Sequence, residues 1–97
     1  MSLLDEQPHP TPGVGDCWAE VLATTSDDTL RALYEERREQ GVARYGTTLQ
    51  RDNGRDHYAD AVQELADAVV YLQAARMVWA RRMVESTLVR LLKEGAR

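Results

Sequence analysis

The 97-residue sequence predicts an all-α fold: a helical bundle with two principal helices plus a C-terminal helix or helix extension, completed by homo-oligomerisation. Three observations carry this. From His57 to Glu94 there is neither proline nor glycine, and the stretch is rich in alanine, leucine, glutamine and arginine, all strong helix formers. Ser26 precedes an apolar-periodic run with Asp27 and Asp28 in its first turn, where acidic side chains face the positive end of a helix dipole. No segment alternates apolar and polar residues with the period of two that a half-buried strand requires, and there is no internal repeat.

Taken in order, residues 1–15 (MSLLDEQPHPTPGVG) hold all three prolines and two of the six glycines, which predicts an extended arm ahead of a single domain over 16–97. A short helix is expected from Asp16 to Ala23. The first principal helix should run from about Asp27 to about Arg44. Tyr45 to Asp56 reads as irregular, with the turn pair Asn53-Gly54 and with Asp56 placed as the N-cap of the second principal helix. Beyond Asp56 the sequence allows one very long helix, or two with a break near Arg81 to Ser86 where Ser86 caps the second. Unbroken, those 38 residues would span ~57 Å, longer than a domain of this size is wide. The segment must bend back or pack against another subunit.

Composition excludes several classes. Charged residues make up 29% and hydrophobic ones 43%, a balance that folds rather than staying disordered. The net charge of −4 argues against a nucleic-acid partner, although basic residues gather in the C-terminal quarter, where apolar positions interrupt them and no aromatic platform accompanies them. No apolar run approaches the ~18 residues of a membrane span. Cys17 stands alone, so an intrachain disulfide or a multi-cysteine zinc site is excluded, and the expected setting is reducing and cytoplasmic.

The carboxylates are the informative residues. On a 100° wheel, Tyr58, Ala61, Val62, Leu65, Val69, Leu72 and Trp79 form an apolar face, and Ala66, Val70 and Met77 extend it so far round that the second helix reads as central and mostly buried. Asp60, Glu64 and Asp67 nevertheless lie on one stripe, with His57 before it and Tyr71 after it. Carboxylates taken out of water need a compensating partner, either arginines or a hard divalent cation. On the first helix Ala32, Glu36, Glu39 and Ala43 share a stripe opposite Leu30, Leu33, Tyr34 and Arg37, and the small alanines allow close approach. Glu35 and Arg38 fall between the stripes and suit ordinary helical ion pairs.

Two pairs result, Glu36-x-x-Glu39 and Glu64-x-x-Asp67, separated by 24 residues. Their order and spacing resemble the ExxE…ExxD signature of the all-α nucleoside triphosphate pyrophosphatases, the MazG-like superfamily that includes dimeric dUTPases and dCTP pyrophosphatases. The linking segment, RYGTTLQRDNGRDHYADAVQELADAVVYL, is similar to small phage-associated and bacterial MazG-like proteins, in which a KYGTPLQ-type stretch and an NGRD turn precede the second acidic helix. The likeness covers roughly Leu33 to Leu72. It implies that Glu36, Glu39, Glu64 and Asp67 coordinate Mg²⁺, with Mn²⁺ able to substitute, and that a nucleoside triphosphate is cleaved to the monophosphate and pyrophosphate. Arg44, Arg51 and Arg55 around the loop suit phosphate oxygens, Tyr71 could touch base or ribose, and Asp60 is open between added ligand, supporting partner and helix-start residue. A chain this short, with one lysine and no second acidic pair to duplicate the site, would complete such a bundle as a homo-dimer or homo-tetramer.

The rival reading is a non-enzymatic helical homo-oligomer whose acidic stripes meet arginines, of which Arg37, Arg38, Arg76, Arg81 and Arg82 are candidates. A di-iron carboxylate bundle is disfavoured by the absence of any Glu-x-x-His.

Overall fold

The computed structural model describes residues 3–95. It is all-α: α1 (Cys17–Thr24), α2 (Asp28–Tyr45), α3 (His57–Ala74) and α4 (Val78–Glu94), with no strand among the described residues and one isolated antiparallel bridge between Asp16 and Gln50. Most helix ends follow from local chemistry. Asp16, Asp27 and Asp56 cap α1, α2 and α3, their side chains accepting from the backbone N–H of Ala19, Leu30 and Ala59. The N-cap of α2 is thus Asp27, with only Asp28 left in the first turn. Gly46 and Gly95 close α2 and α4 in the left-handed conformation, at φ of 80° and 70°.

The chain divides into two compact units. One is His9–Gly54. In it α1 packs on α2, with the Trp18 and Tyr34 rings 6.0 Å apart and tilted. Asp16 reaches Arg38 at 3.1 Å. The Arg31 guanidinium closes the C-terminal end of α1 by donating to the carbonyls of Leu22 and Thr25, a favourable place for a cation. The segment before α1 lies along the loop after α2: Thr11 N–H donates to Asn53 O at 2.8 Å, Cys17 N–H to Leu49 O at 3.0 Å and Gly13 N–H to the Gln50 side chain at 2.9 Å. That approach needs a glycine at 13, since a Cβ there would stand 2.4 Å from the Asp52 carbonyl oxygen.

The other unit joins the start of the chain, up to Pro8, to everything from Arg55 onward. Its body is an antiparallel hairpin of α3 and α4, tied at the open end by the Tyr58 hydroxyl donating to Leu91 O at 2.9 Å. The arm crosses the start of α3. The Gln7 side chain accepts from Asp56 N–H at 3.0 Å and donates to Asp56 O at 3.2 Å, Gln63 donates to Leu3 O, and Arg55 donates to Pro8 O at 2.8 Å.

Two expectations are corrected by the fold. The break between α3 and α4 falls at Ala75–Met77, not near Arg81 to Ser86, and Ser86 lies inside α4 rather than capping it. Arg76 adopts φ of 60°, while Ala75, Arg76 and Met77 N–H turn back onto the carbonyls of Tyr71, Gln73 and Leu72. This is the reversal glycine usually makes, carried here by an arginine. Nor is α3 mostly buried: Ala59 and Val62 are its only buried residues, and Val70 and Tyr71 are well exposed.

Candidate functional site

The helical carboxylates sort into two groups. Glu20 pairs with Arg51, Glu35 with Arg31, Asp60 with Arg55, Glu85 with Arg81 and Glu94 with Arg90. Asp28 sits in the first turn of α2, facing the helix dipole. Among the described residues, the helical carboxylates left with neither an arginine nor a capping place are Glu36, Glu39, Glu64 and Asp67. These are the four residues of the two Glu-x-x-Glu/Asp pairs.

Helix packing explains their position. In α2 the residues turned to α1, Arg31, Tyr34 and Arg38, recur at i, i+3 and i+7 and are half-buried. Ala32, Glu36, Glu39 and Ala43 fall on the opposite side, and all four are exposed. In α3 the seam toward α4 runs through Tyr58, Val62, Leu65 and Val69, leaving Glu64 and Asp67 opposite and exposed. Within its own unit, the Glu64–Asp67 pair occupies the face of α3 turned from α4, and Glu36 the face of α2 turned from α1, with Glu39 at the edge of the groove between α1 and α2. Among the described residues no three or more His, Cys, Asp or Glu side chains are gathered as a metal site. Each helix presents a pair.

Two oxygens on successive turns fit what Mg²⁺ accepts from protein, since it is typically bound by one or two carboxylates, with waters and substrate phosphates completing the octahedron. The donor set fits on chemistry: hard oxygen ligands, solvent access, and, among the described residues, no arginine already paired with them.

Asp60, on the same stripe as Glu64 and Asp67, is a different case. Its carboxylate receives both Arg55 Nε at 3.0 Å and Nη2 at 2.8 Å, a two-point contact. Of the alternatives open for Asp60, the structure shows a supporting partner of Arg55. The other loop cations also have contacts. Arg51 pairs with Glu20, and that hydrogen bond is the main reason its guanidinium is held above the usual arginine value. Arg44 stacks over the Tyr45 ring at 5.2 Å. A phosphate at Arg51 or Arg55 would compete with, or add to, a carboxylate already there. Tyr71, one turn beyond Asp67, is exposed. Glu39 also borders a shallow groove between α1 and α2, with Ala19, Leu22, Glu35 and Arg38.

The Asp16–Arg38 and Glu20–Arg51 pairs escaped sequence reasoning. Their partners stand 22 and 31 positions apart, beyond any helical register. Within Tyr34–Gln40 the division was partly legible: Glu35 forms the expected helical pair with Arg31, Arg38 pairs with Asp16 instead of along its helix, and among the described residues no ion pair reaches Glu36 or Glu39. No protein-family model, no curated protein and no solved structure matches the chain, so the functional reading rests on its own residues and geometry.

Proposed function

We propose that this protein is a Mg²⁺-dependent nucleoside triphosphate pyrophosphohydrolase, in which water cleaves the α–β anhydride of a ribo- or deoxyribonucleoside triphosphate to give the monophosphate and pyrophosphate. One observation carries the reading. Among the described residues the other mid-helix acids pair with arginine, whereas Glu36, Glu39, Glu64 and Asp67 stand on exposed faces with no arginine partner. The MazG-like resemblance of Leu33 to Leu72 singles out the same four residues.

The chemistry suits them. A bound Mg²⁺ would supply positive charge to the phosphoryl oxygens and a more acidic water. Glu36 and Glu39 on α2, and Glu64 and Asp67 on α3, are the oxygen donors proposed for metal, and without metal each pair would repel the polyanionic substrate. Arg55, paired with Asp60, and Arg51, paired with Glu20, are loop guanidinium groups whose planar fork suits phosphate oxygens. Tyr71, beside the acidic stripe, offers a ring for the base or ribose.

The test is pyrophosphate release from a panel of canonical and modified (d)NTPs with Mg²⁺ or Mn²⁺. Release that depends on the metal and is lost in Glu64→Gln and Asp67→Asn supports the proposal. Release at background across the panel overturns it. A change in oligomer mass on the same substitutions, with no effect of Mg²⁺, would favour the helical interaction protein whose acids meet arginines of another copy.

A further inference from the structure

Arg55 is held from two sides, and the two holds differ in kind. Its Nε and Nη2 donate to the Asp60 carboxylate at 3.0 and 2.8 Å, while its Nη1 donates to Pro8 O at 2.8 Å. Asp60 belongs to α3 and moves only with that helix. Pro8 belongs to the arm, which has no helix of its own and is fastened by side-chain clasps. Gln7 accepts from Asp56 N–H at 3.0 Å and donates to Asp56 O at 3.2 Å, and Gln63 donates to Leu3 O at 2.6 Å. All of these residues lie within one compact unit.

Resting on the pyrophosphohydrolase reading, we propose that residues 3–8 are an autoinhibitory strap: Pro8 O stands where a phosphate oxygen of the substrate would bind Arg55, Gln7 is the latch, and docking of the arm and binding of a polyphosphate at Arg55 exclude each other. The place is right, because Asp60 shares its stripe with Glu64 and Asp67, so Arg55 is bonded into the face given to metal and phosphate. The exchange is favourable at the arginine, since a guanidinium pairs more strongly with a charged phosphate oxygen than with a neutral carbonyl. Charge also drives the arm away. Residues 3–8 carry Asp5 and Glu6 and no lysine or arginine, the same sign as the incoming ligand. A polyanion arriving at Arg55 therefore replaces Pro8 O and repels the segment that presents it. The latch itself is two hydrogen bonds between neutral groups, the weaker kind, so it is one that a charged ligand can open.

Two measurements on the full chain test the strap with inorganic tripolyphosphate and Mg²⁺ as the probe. In the unaltered chain, hydrogen exchange read by NMR at the Asp56 amide, which donates to Gln7, should quicken as tripolyphosphate is added, and sodium chloride of equal ionic strength should not quicken it. Gln7→Ala removes both clasps and leaves Arg55 and the acids in place. It should bind tripolyphosphate about three- to tenfold more tightly by calorimetry, because apparent affinity scales with the fraction of chains whose arm is open. In hydrolysis the same variant should lower KM and leave kcat unchanged, with helix content by circular dichroism as before. Weaker binding or a higher KM for Gln7→Ala overturns the proposal, since the arm would then support Arg55 rather than compete for it. Hydrolysis across the nucleotide panel with Asp56 exchange indifferent to tripolyphosphate, or equally quickened by chloride, overturns the strap alone. Quickened exchange and tighter binding without hydrolysis support the strap and overturn the pyrophosphohydrolase, and the absence of all three overturns both.

Discussion

Neutralising Asp60 and neutralising Glu64 or Asp67 should move stability in opposite directions, although all three acids share one stripe of one helix. Asp60 accepts two N–H groups from Arg55 at 2.8 and 3.0 Å, and the two side chains are only 29% and 25% exposed. Hydrogen bonds to charged groups contribute about 1.5–3 kcal/mol. Discounted for the solvent that still reaches the pair, Asp60→Asn should cost about 1 kcal/mol. In a chain of this length that lowers the melting temperature by roughly 4–8 °C. Glu64 and Asp67 have no cation partner among the described residues and stand one turn apart. Glu64→Gln or Asp67→Asn removes a like-charge repulsion of about 0.2–0.5 kcal/mol, so the melting temperature should hold or rise by about 1–3 °C. Thermal unfolding by circular dichroism at low ionic strength, without divalent metal, reads both effects. The reasoning is refuted if Glu64→Gln or Asp67→Asn destabilises as much as Asp60→Asn does. Those carboxylates would then be structural ion-pair members, and the observation behind the proposed function would be gone.

Two further outcomes are expected. Arg76 holds φ of 60° in the turn between α3 and α4, so Arg76→Gly should relieve about 1 kcal/mol of backbone strain and raise the urea midpoint, whereas Arg76→Val should lower it. The Asp16 carboxyl is held below its ordinary value of 3.8, mainly by the Ala19 N–H and then by Arg38. Its stabilising contribution is therefore complete above that value and is lost as pH falls through the lower folded value. Acid titrations of unfolding should show a shallower loss of stability between about pH 5 and pH 2 for Asp16→Asn than for the unaltered chain.

The residues themselves determined the helices and most of their ends, because capping is local chemistry. Asp16, Asp56 and the absence of proline and glycine after His57 speak within a few positions of where they act. The same locality let the wheel separate Glu36 and Glu39 from Glu35 and Arg38. Helical rotation alone decides which side chains share a face.

Tertiary structure decided what locality could not. The reversal at Ala75–Met77 carries no glycine or proline to announce it, and an arginine forced to positive φ leaves no mark in sequence. How little of α3 is buried depends on the company its faces find, and the wheel records only that a face is apolar. The choice of which acids receive a cation belongs to the fold as well. Arg38 and Arg51 come to Asp16 and Glu20 through chain reversals, and electrostatic contact depends on distance in space rather than along the chain. Sequence pattern could nominate Glu36, Glu39, Glu64 and Asp67. Only the folded chain could show that arginines pair with Glu35 and Asp60 and, among the described residues, with none of these four.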